Sequence, residues 1–112
     1  MSFQQGLSGL SAASANLDVI GNNVANVNTV GFKQSQAQFA DVFSVSLDGS
    51  GASDIGGGAR VAAIAQEFSQ GAIATTSNPL DIAIRGQGFF RMNDNGVISY
   101  SRNGQFHPDA NG

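Results

Sequence analysis

The chain has no cysteine and no tryptophan, one histidine, one tyrosine and two prolines, and only 12% of its 112 residues are charged. Without cysteine there is neither a disulfide framework nor a thiolate metal site. His107 is the only imidazole, and with Pro108 and Asp109 beside it no converging set of metal donors can be assembled. The same histidine would have to serve any Ser–His pair, and no Gly-x-Ser-x-Gly elbow accompanies it. Asp41, Asp54, Glu67, Asp81 and Asp94 show no spacing that singles out two of them as an acid pair. No catalytic, cofactor-binding or metal-binding constellation emerges, and the chain is expected not to be an enzyme. Its five Lys and Arg are scattered through a chain of net charge −3, which argues against nucleic acid as a partner. No apolar run approaches the ~20 residues that span a bilayer, so no membrane insertion is expected. Met1–Gln5 lacks a basic stretch followed by an apolar one, so no cleaved signal peptide is expected either.

The most uneven absence is that of charge near the start: before Lys33 the only charged side chain is Asp18. A helix on the surface of a free globular domain keeps one charged face in water. A helix with almost no charge on any face is expected to be covered by neighbours over most of its surface.

What is present supports such a helix from Ser2 to about Asn28. Phe3, Leu10, Leu17 and Val24 follow one another at heptad spacing, and Ala13, Ile20 and Val27 stand three residues after the last three of these. This is the a/d seam of a coiled coil, widened by Leu7, and Ser2 with Gln5 has the pattern of a capping box. The other faces carry Gly6, Ser8, Gly9, Ser11, Ala12, Ser14 and Ala15, small enough for another backbone to approach closely. Gly6, Gly9 and Gly21 each cost about 1 kcal/mol relative to Ala in a helix interior, so the helix should depend on packing against other elements or other subunits.

Phe32–Val45 reads as a short amphipathic piece with Phe39 and Phe43 four apart, and Ser44–Gly58 as a Gly/Ser-rich connection punctuated by Asp48-Gly49, Ser50-Gly51 and Gly56-Gly57-Gly58. Beyond it the pattern is one of strands and turns. Val61–Phe68 and Ala72–Thr76 flank Ser69-Gln70-Gly71, while Leu80, Ile82 and Ile84 alternate with Asp81 and Ala83. Phe89–Met92 and Val97–Ser101 flank Asn93-Asp94-Asn95-Gly96. The fold class is therefore α+β: a long N-terminal heptad helix, an extended connecting region, then antiparallel hairpins of an incomplete β-rich domain. The expected division is 1–30 for the helix, 31–75 for the connecting region with the first strands, and 76–112 for the start of an outer domain. The last residues, Asp109–Gly112, form a turn with no returning strand, so the chain reads as the amino-terminal part of a longer protein.

The run Asn22-Asn23-Val24-Ala25-Asn26, closing a helix, followed by Thr29-Val30-Gly31-Phe32-Lys33, resembles the amino-terminal signature of the bacterial flagellar axial proteins. Phe39-Ala40-Asp41-Val42-Phe43, Phe68-Ser69-Gln70-Gly71, Leu80–Ile84, Gly86-Gln87-Gly88-Phe89-Phe90 and Tyr100–Phe106 are similar, in the same order, to stretches of the rod and hook branch of that family. The hook members resemble the chain more than the distal rod members do, and a carbohydrate-binding or adhesive β domain is a more remote alternative.

The resemblance implies a structural subunit of the flagellar hook, a helical polymer forming a tube outside the cell that works as a universal joint between motor and filament. It implies a homo-polymer whose amino-terminal helix pairs with a carboxy-terminal helix of the same chain. It also implies contacts with rod, hook-cap and hook–filament junction proteins, and export through the flagellar type III apparatus. The seam residues Phe3, Leu7, Leu10, Ala13, Leu17, Ile20, Val24 and Val27 would pack in the tube wall. Asn22, Asn23, Ala25, Asn26, Thr29, Gly31, Phe32 and Lys33 would form the exit turn, with Gly31 at positive φ.

Overall fold

The computed structural model describes residues 2–42 and 56–112. The order is one helix, α1 (Ser2–Ala25), followed by β1 (Ser35–Asp41), β2 (Ala59–Gln66), β3 (Phe90–Asp94) and β4 (Val97–Ser101). This is an α+β fold in which each strand pair is antiparallel. The chain divides into two compact units, one built on Met1–Ala25 and Ser35–Gln66, the other on Asn26–Gln34 and Glu67–Gly112. Among the described residues no helix is long and apolar enough to cross a membrane.

The heptad pattern gives the helix, but α1 stops at Ala25 rather than near Asn28. The asparagines account for the earlier end, because their side chains compete with the helical backbone for hydrogen bonds. Thr29 donates its N–H to the Asn26 carbonyl at 3.0 Å and its hydroxyl to Asn26 Oδ1 at 3.2 Å, which closes a turn in place of a further helical residue. Val27 consequently lies outside the helix.

In the first unit β1 pairs with β2 from Ser35↔Gln66 to Asp41↔Ala59, with a bulge at Gln38/Phe39 where the register shifts. The pairing continues past the strands, since Val42 donates to the Gly58 carbonyl at 2.8 Å and Gly57 to the Val42 carbonyl at 2.7 Å. The stretch after Phe32 is therefore a strand and not an amphipathic piece of period four. Ser35, Ala37 and Ala40 are the more buried residues of β1, and Ala59, Val61 and Ala65 those of β2. Small side chains at these positions suit a hairpin lying close under a helix. Phe43 and most of the expected connection, including Asp48-Gly49 and Ser50-Gly51, lie outside the described residues.

The second unit holds the β3–β4 hairpin, in register from Phe90↔Ser101 to Asp94↔Val97. Its two-residue turn has Asn95 at φ 50° and Gly96 at φ 93°. Both values are of the sign that a right-twisted hairpin demands, and Asn-Gly is the dipeptide best able to supply them. Phe90 meets Phe106 edge to face with centroids 5.3 Å apart, and Phe68 meets Phe89 in the same way at 5.7 Å. Buried Gly104 accepts the Ile82 N–H at 3.0 Å, and a Cβ there would collide with the Ile82 carbonyl.

Among the described residues two expected strands are absent. Ala72–Thr76 has no ladder partner, because β2, its supposed hairpin mate, pairs with β1 instead. Leu80–Ile84 is reduced to a single bridge, Asp81↔Gln105.

Candidate assembly surface

At ~100° per residue, α1 presents two opposite faces. One, running through Gln5, Ser8, Ala12, Ala15, Val19 and Asn23, packs on the β1–β2 hairpin and is the more buried. Ala12 and Val19 are both only 8% exposed and are the two buried residues of this face. The other face is the large apolar stripe, and it points away from the hairpin: Phe3 is 92% exposed, Leu10 71%, Leu17 67% and Val24 65%. Leu7, Ala13 and Ile20 are exposed as well, and so is Val27 in the turn beyond the helix. The helix thus spends its small and polar residues within the unit and leaves its largest hydrophobic side chains in water.

That distribution reverses the rule for a self-sufficient domain, in which the apolar stripe faces the core. Fully burying a Leu or Phe side chain is worth about 1.5–3 kcal/mol. Covering the five large residues of α1 that are exposed by half or more would release on the order of 10 kcal/mol per subunit, before the entropic cost of association. Contiguous exposed apolar surface of this kind is uncommon on monomeric soluble proteins.

The small face is held to the hairpin by polar contacts near both ends of α1. Ser8 Oγ donates to the Gln5 carbonyl and accepts the Ala59 N–H, and Gln5 Nε2 donates to the Gly56 carbonyl at 2.7 Å. At the other end Asn23 Nδ2 donates to the Ser35 carbonyl at 2.7 Å, while Asn23 Oδ1 accepts the Ser35 N–H at 3.0 Å. One carboxamide thereby saturates both backbone groups of the first residue of β1, as a neighbouring strand would. The heptad reading put weight on the large residues and gave Ser8, Ala12 and Ala15 only the role of allowing close approach. It missed Val19, whose signal was an apolar β-branched residue aligned with those small ones and out of phase with Leu17 and Ile20.

Of the remaining motif residues, Ala25 ends the helix and Asn22 is exposed on it. In the second unit, Asn26 and Thr29 make the turn, and Phe32 donates its N–H to the Thr29 carbonyl at 3.3 Å with its ring half-buried. Gly31 has φ 77°, and a Cβ built there would stand 2.6 Å from Arg102 C and Asn103 N. Glycine is required twice over, by its conformation and by the backbone that lies against it. Lys33 Nζ donates to the Ser69 carbonyl.

Arg102 was not singled out in the sequence, yet it holds the loop before β3 in place. Its guanidinium donates to the carbonyls of Ile84, Gly86 and Gly88 and to Gln70 Oε1, and Gln70 Oε1 also accepts the Gly86 N–H at 3.0 Å. The positive φ values of Gly86 and Gly88 belong to this folded loop.

The family model for the flagella basal body rod protein matches residues 3–33, and that for the flagellar hook protein FlgE/F/G D1 domain matches residues 83–112. Flagellar hook protein FlgE of Salmonella typhimurium is 52% identical over 112 residues, which are 99% of this chain and 26% of that protein. The FlgE of Escherichia coli is 51% identical over the same extent. Flagellar basal-body rod protein FlgG of Bacillus subtilis is 39% identical over 121 aligned residues, covering 99% of this chain and 46% of that protein. The chain thus spans 26% of the length of the hook relatives it matches. With one family model on the helix and exit turn, another on the second hairpin, and the identity running along nearly its whole length, the chain belongs to the flagellar rod and hook family of axial proteins.

Proposed function

We propose that the chain is the amino-terminal part of a structural subunit of the flagellar hook, self-assembling into the flexible tube that passes motor torque to the filament. The observation that carries this reading is the apolar stripe of α1, turned away from its own hairpin and exposed along Phe3, Leu10, Leu17 and Val24. The higher identity to the hook proteins of Salmonella typhimurium and Escherichia coli than to the rod protein of Bacillus subtilis, 52% and 51% against 39%, favours hook over distal rod.

In this reading Phe3, Leu7, Leu10, Ala13, Leu17, Ile20 and Val24 are the packing seam of the tube wall, and a carboxy-terminal helix of the full-length chain covers part of it. Residues 1–30 act as the inner assembly element, 31–75 as the connecting region and 76–112 as the beginning of an outer domain. Copies of the same subunit, with rod, hook-cap and junction proteins at the two ends, are the partners. The type III apparatus exports the subunit without cleavage.

The mechanism follows from contact chemistry. A bent rotating tube lengthens and shortens on each side once per turn, so neighbouring subunits must slide while staying attached. Apolar contacts are non-directional and tolerate sliding, whereas salt bridges and hydrogen bonds fix a register. An assembly face with no charge other than that of Asp18 nearby suits that requirement.

The test is to purify the full-length protein, let it polymerise and image it by electron microscopy, beside a variant with Leu10 and Leu17 changed to Ser. Curved tubes from the wild type and none from the folded variant support the proposal. Tubes from both exclude the stripe as the assembly face, and straight tubes from the wild type favour the rod reading.

A further inference from the structure

Asn-Gly occurs at Asn95-Gly96, Asn103-Gly104 and Asn111-Gly112. In such a pair the glycine nitrogen can attack the asparagine carboxamide, because glycine has no side chain to shield that nitrogen or to restrict the rotation the attack needs. The first two pairs bracket β4 and have opposite surroundings.

Asn95-Gly96 is the exposed tip of the β3–β4 hairpin, and Asn95 is the one non-glycine residue at positive φ among the described residues. Its side chain makes no hydrogen bond to the other described residues. What restrains the pair is its neighbour: Gly96 donates its N–H to Asn93 Oδ1 at 2.9 Å. Asn103-Gly104 is held far more firmly. Asn103 Oδ1 accepts the Gln105 N–H at 2.9 Å, and Asn103 donates its own N–H to Ser101 Oγ at 3.1 Å. Gly104 is buried, with its carbonyl bonded to the Ile82 N–H and the Ile82 carbonyl lying where a Cβ would stand. That peptide has no room to rotate while the unit is folded.

We propose that Asn95 is a site of deamidation in the folded protein and that Asn93 sets its rate. The Gly96 amide gives its proton to hydroxide, and its nitrogen bonds to Asn95 Cγ. The carboxamide C–N bond breaks, and the leaving nitrogen takes a proton from water to depart as ammonia, which regenerates the hydroxide. Water then opens the cyclic imide at either carbonyl, giving aspartate or isoaspartate. The bond to Asn93 opposes the first step twice, since it holds the proton on the Gly96 nitrogen and keeps the peptide turned away from Asn95. Either product sets a new carboxylate beside Asp94. Isoaspartate also routes the main chain through an extra methylene, which a two-residue turn cannot absorb, so the Asp94↔Val97 pairing is the first to be lost. On the hook reading, older subunits then differ from newer ones by a negative charge at this tip; the chemistry itself does not depend on that reading.

The experiment is to incubate the full-length protein in mildly alkaline buffer, native and in denaturant, and to score each asparagine by peptide mass spectrometry, with isoaspartyl methyltransferase labelling to report isoaspartate. Tryptic cleavage after Arg91 and Arg102 places Asn95 and Asn103 on different peptides. Asn95 should convert in the native protein while Asn103 stays intact, and the two should convert at comparable rates in denaturant. Asn93→Ala should speed conversion of Asn95 by about 2- to 10-fold, the weight of one net hydrogen bond, while Asn93→Asp, which keeps the acceptor, should not. Native conversion of Asn103 as fast as that of Asn95 overturns the proposal, as does an Asn95 that survives intact while the denatured sample is consumed. Equal effects of the Ala and Asp variants, or the same preference for Asn95 in denaturant, overturn it too, because they remove Asn93 or the fold as the cause.

Discussion

Changing Leu17 to Asp in the full-length protein should abolish polymerisation while leaving the helix-on-hairpin unit folded. Leu17 is 67% exposed and stands on the side of α1 opposite Ala12 and Val19, so within the unit the new carboxylate remains in water. Exposed substitutions of that kind usually change stability by no more than about 0.5 kcal/mol. Within a packed tube wall the balance differs. The transfer energy of the leucine, about 2 kcal/mol, is lost, and a carboxylate without a partner is buried at a cost of several kcal/mol. Even a total of ~4 kcal/mol per subunit would raise the concentration needed for assembly by about a thousandfold, at 1.4 kcal/mol per decade. The assay is sedimentation of polymer across a concentration series, with circular dichroism to verify the fold. Val19→Asp is the control, since it puts the charge into the helix–hairpin contact and should unfold the unit. If Leu17→Asp polymerised at wild-type concentrations, or Val19→Asp were the milder change, the assignment of the two faces would be wrong.

Gly31→Val should destabilise the second unit by several kcal/mol, through the cost of positive φ for a β-branched residue and the 2.6 Å approach of Arg102 and Asn103. Gly31→Asn should be nearly as harmful, because its tolerance of the left-handed region does nothing to relieve that contact; chemical denaturation of both variants checks this. Asn23→Ala removes two hydrogen bonds to Ser35 and should cost about 1–3 kcal/mol, read as loss of exchange protection at the Ser35 amide. Arg102→Gln should release the loop from Ile84 to Gly88 without unfolding the β3–β4 hairpin, seen as faster exchange at Gly86 with the strand amides unchanged.

The helix was legible because heptad spacing of large apolar residues is a strong local signal, and the β3–β4 hairpin because two apolar runs flank Asn93-Asp94-Asn95-Gly96, although Asn93 and Asp94 extend β3 and leave Asn95-Gly96 alone as the turn. The direction of the helix was not legible from residue size. A long apolar stripe announces burial without saying whether the cover comes from the same unit or from another molecule. The strand β1 was obscured because Ser35-Gln36-Ala37-Gln38 lacks the β-branched residues that mark strands, and its pairing with Ala59–Gln66 is long-range. Ala72–Thr76 shows the converse, since strand composition produces no strand without an adjacent partner. The close approach of Arg102 and Asn103 to Gly31 lies far along the chain from the motif, which is why the motif shows the need for positive φ and not the steric demand.

The central claim is that the exposed stripe of α1 is the face through which subunits join. Hydroxyl-radical labelling with mass-spectrometric readout, on full-length monomer and on assembled tubes, measures side-chain accessibility at Phe3, Leu10, Leu17 and Val24 together. Labelling of these four residues should be high in the monomer and should fall to near background in the tube, while exposed Tyr100 on β4 serves as a reference from the second unit. Labelling equally strong in monomer and tube would contradict the claim.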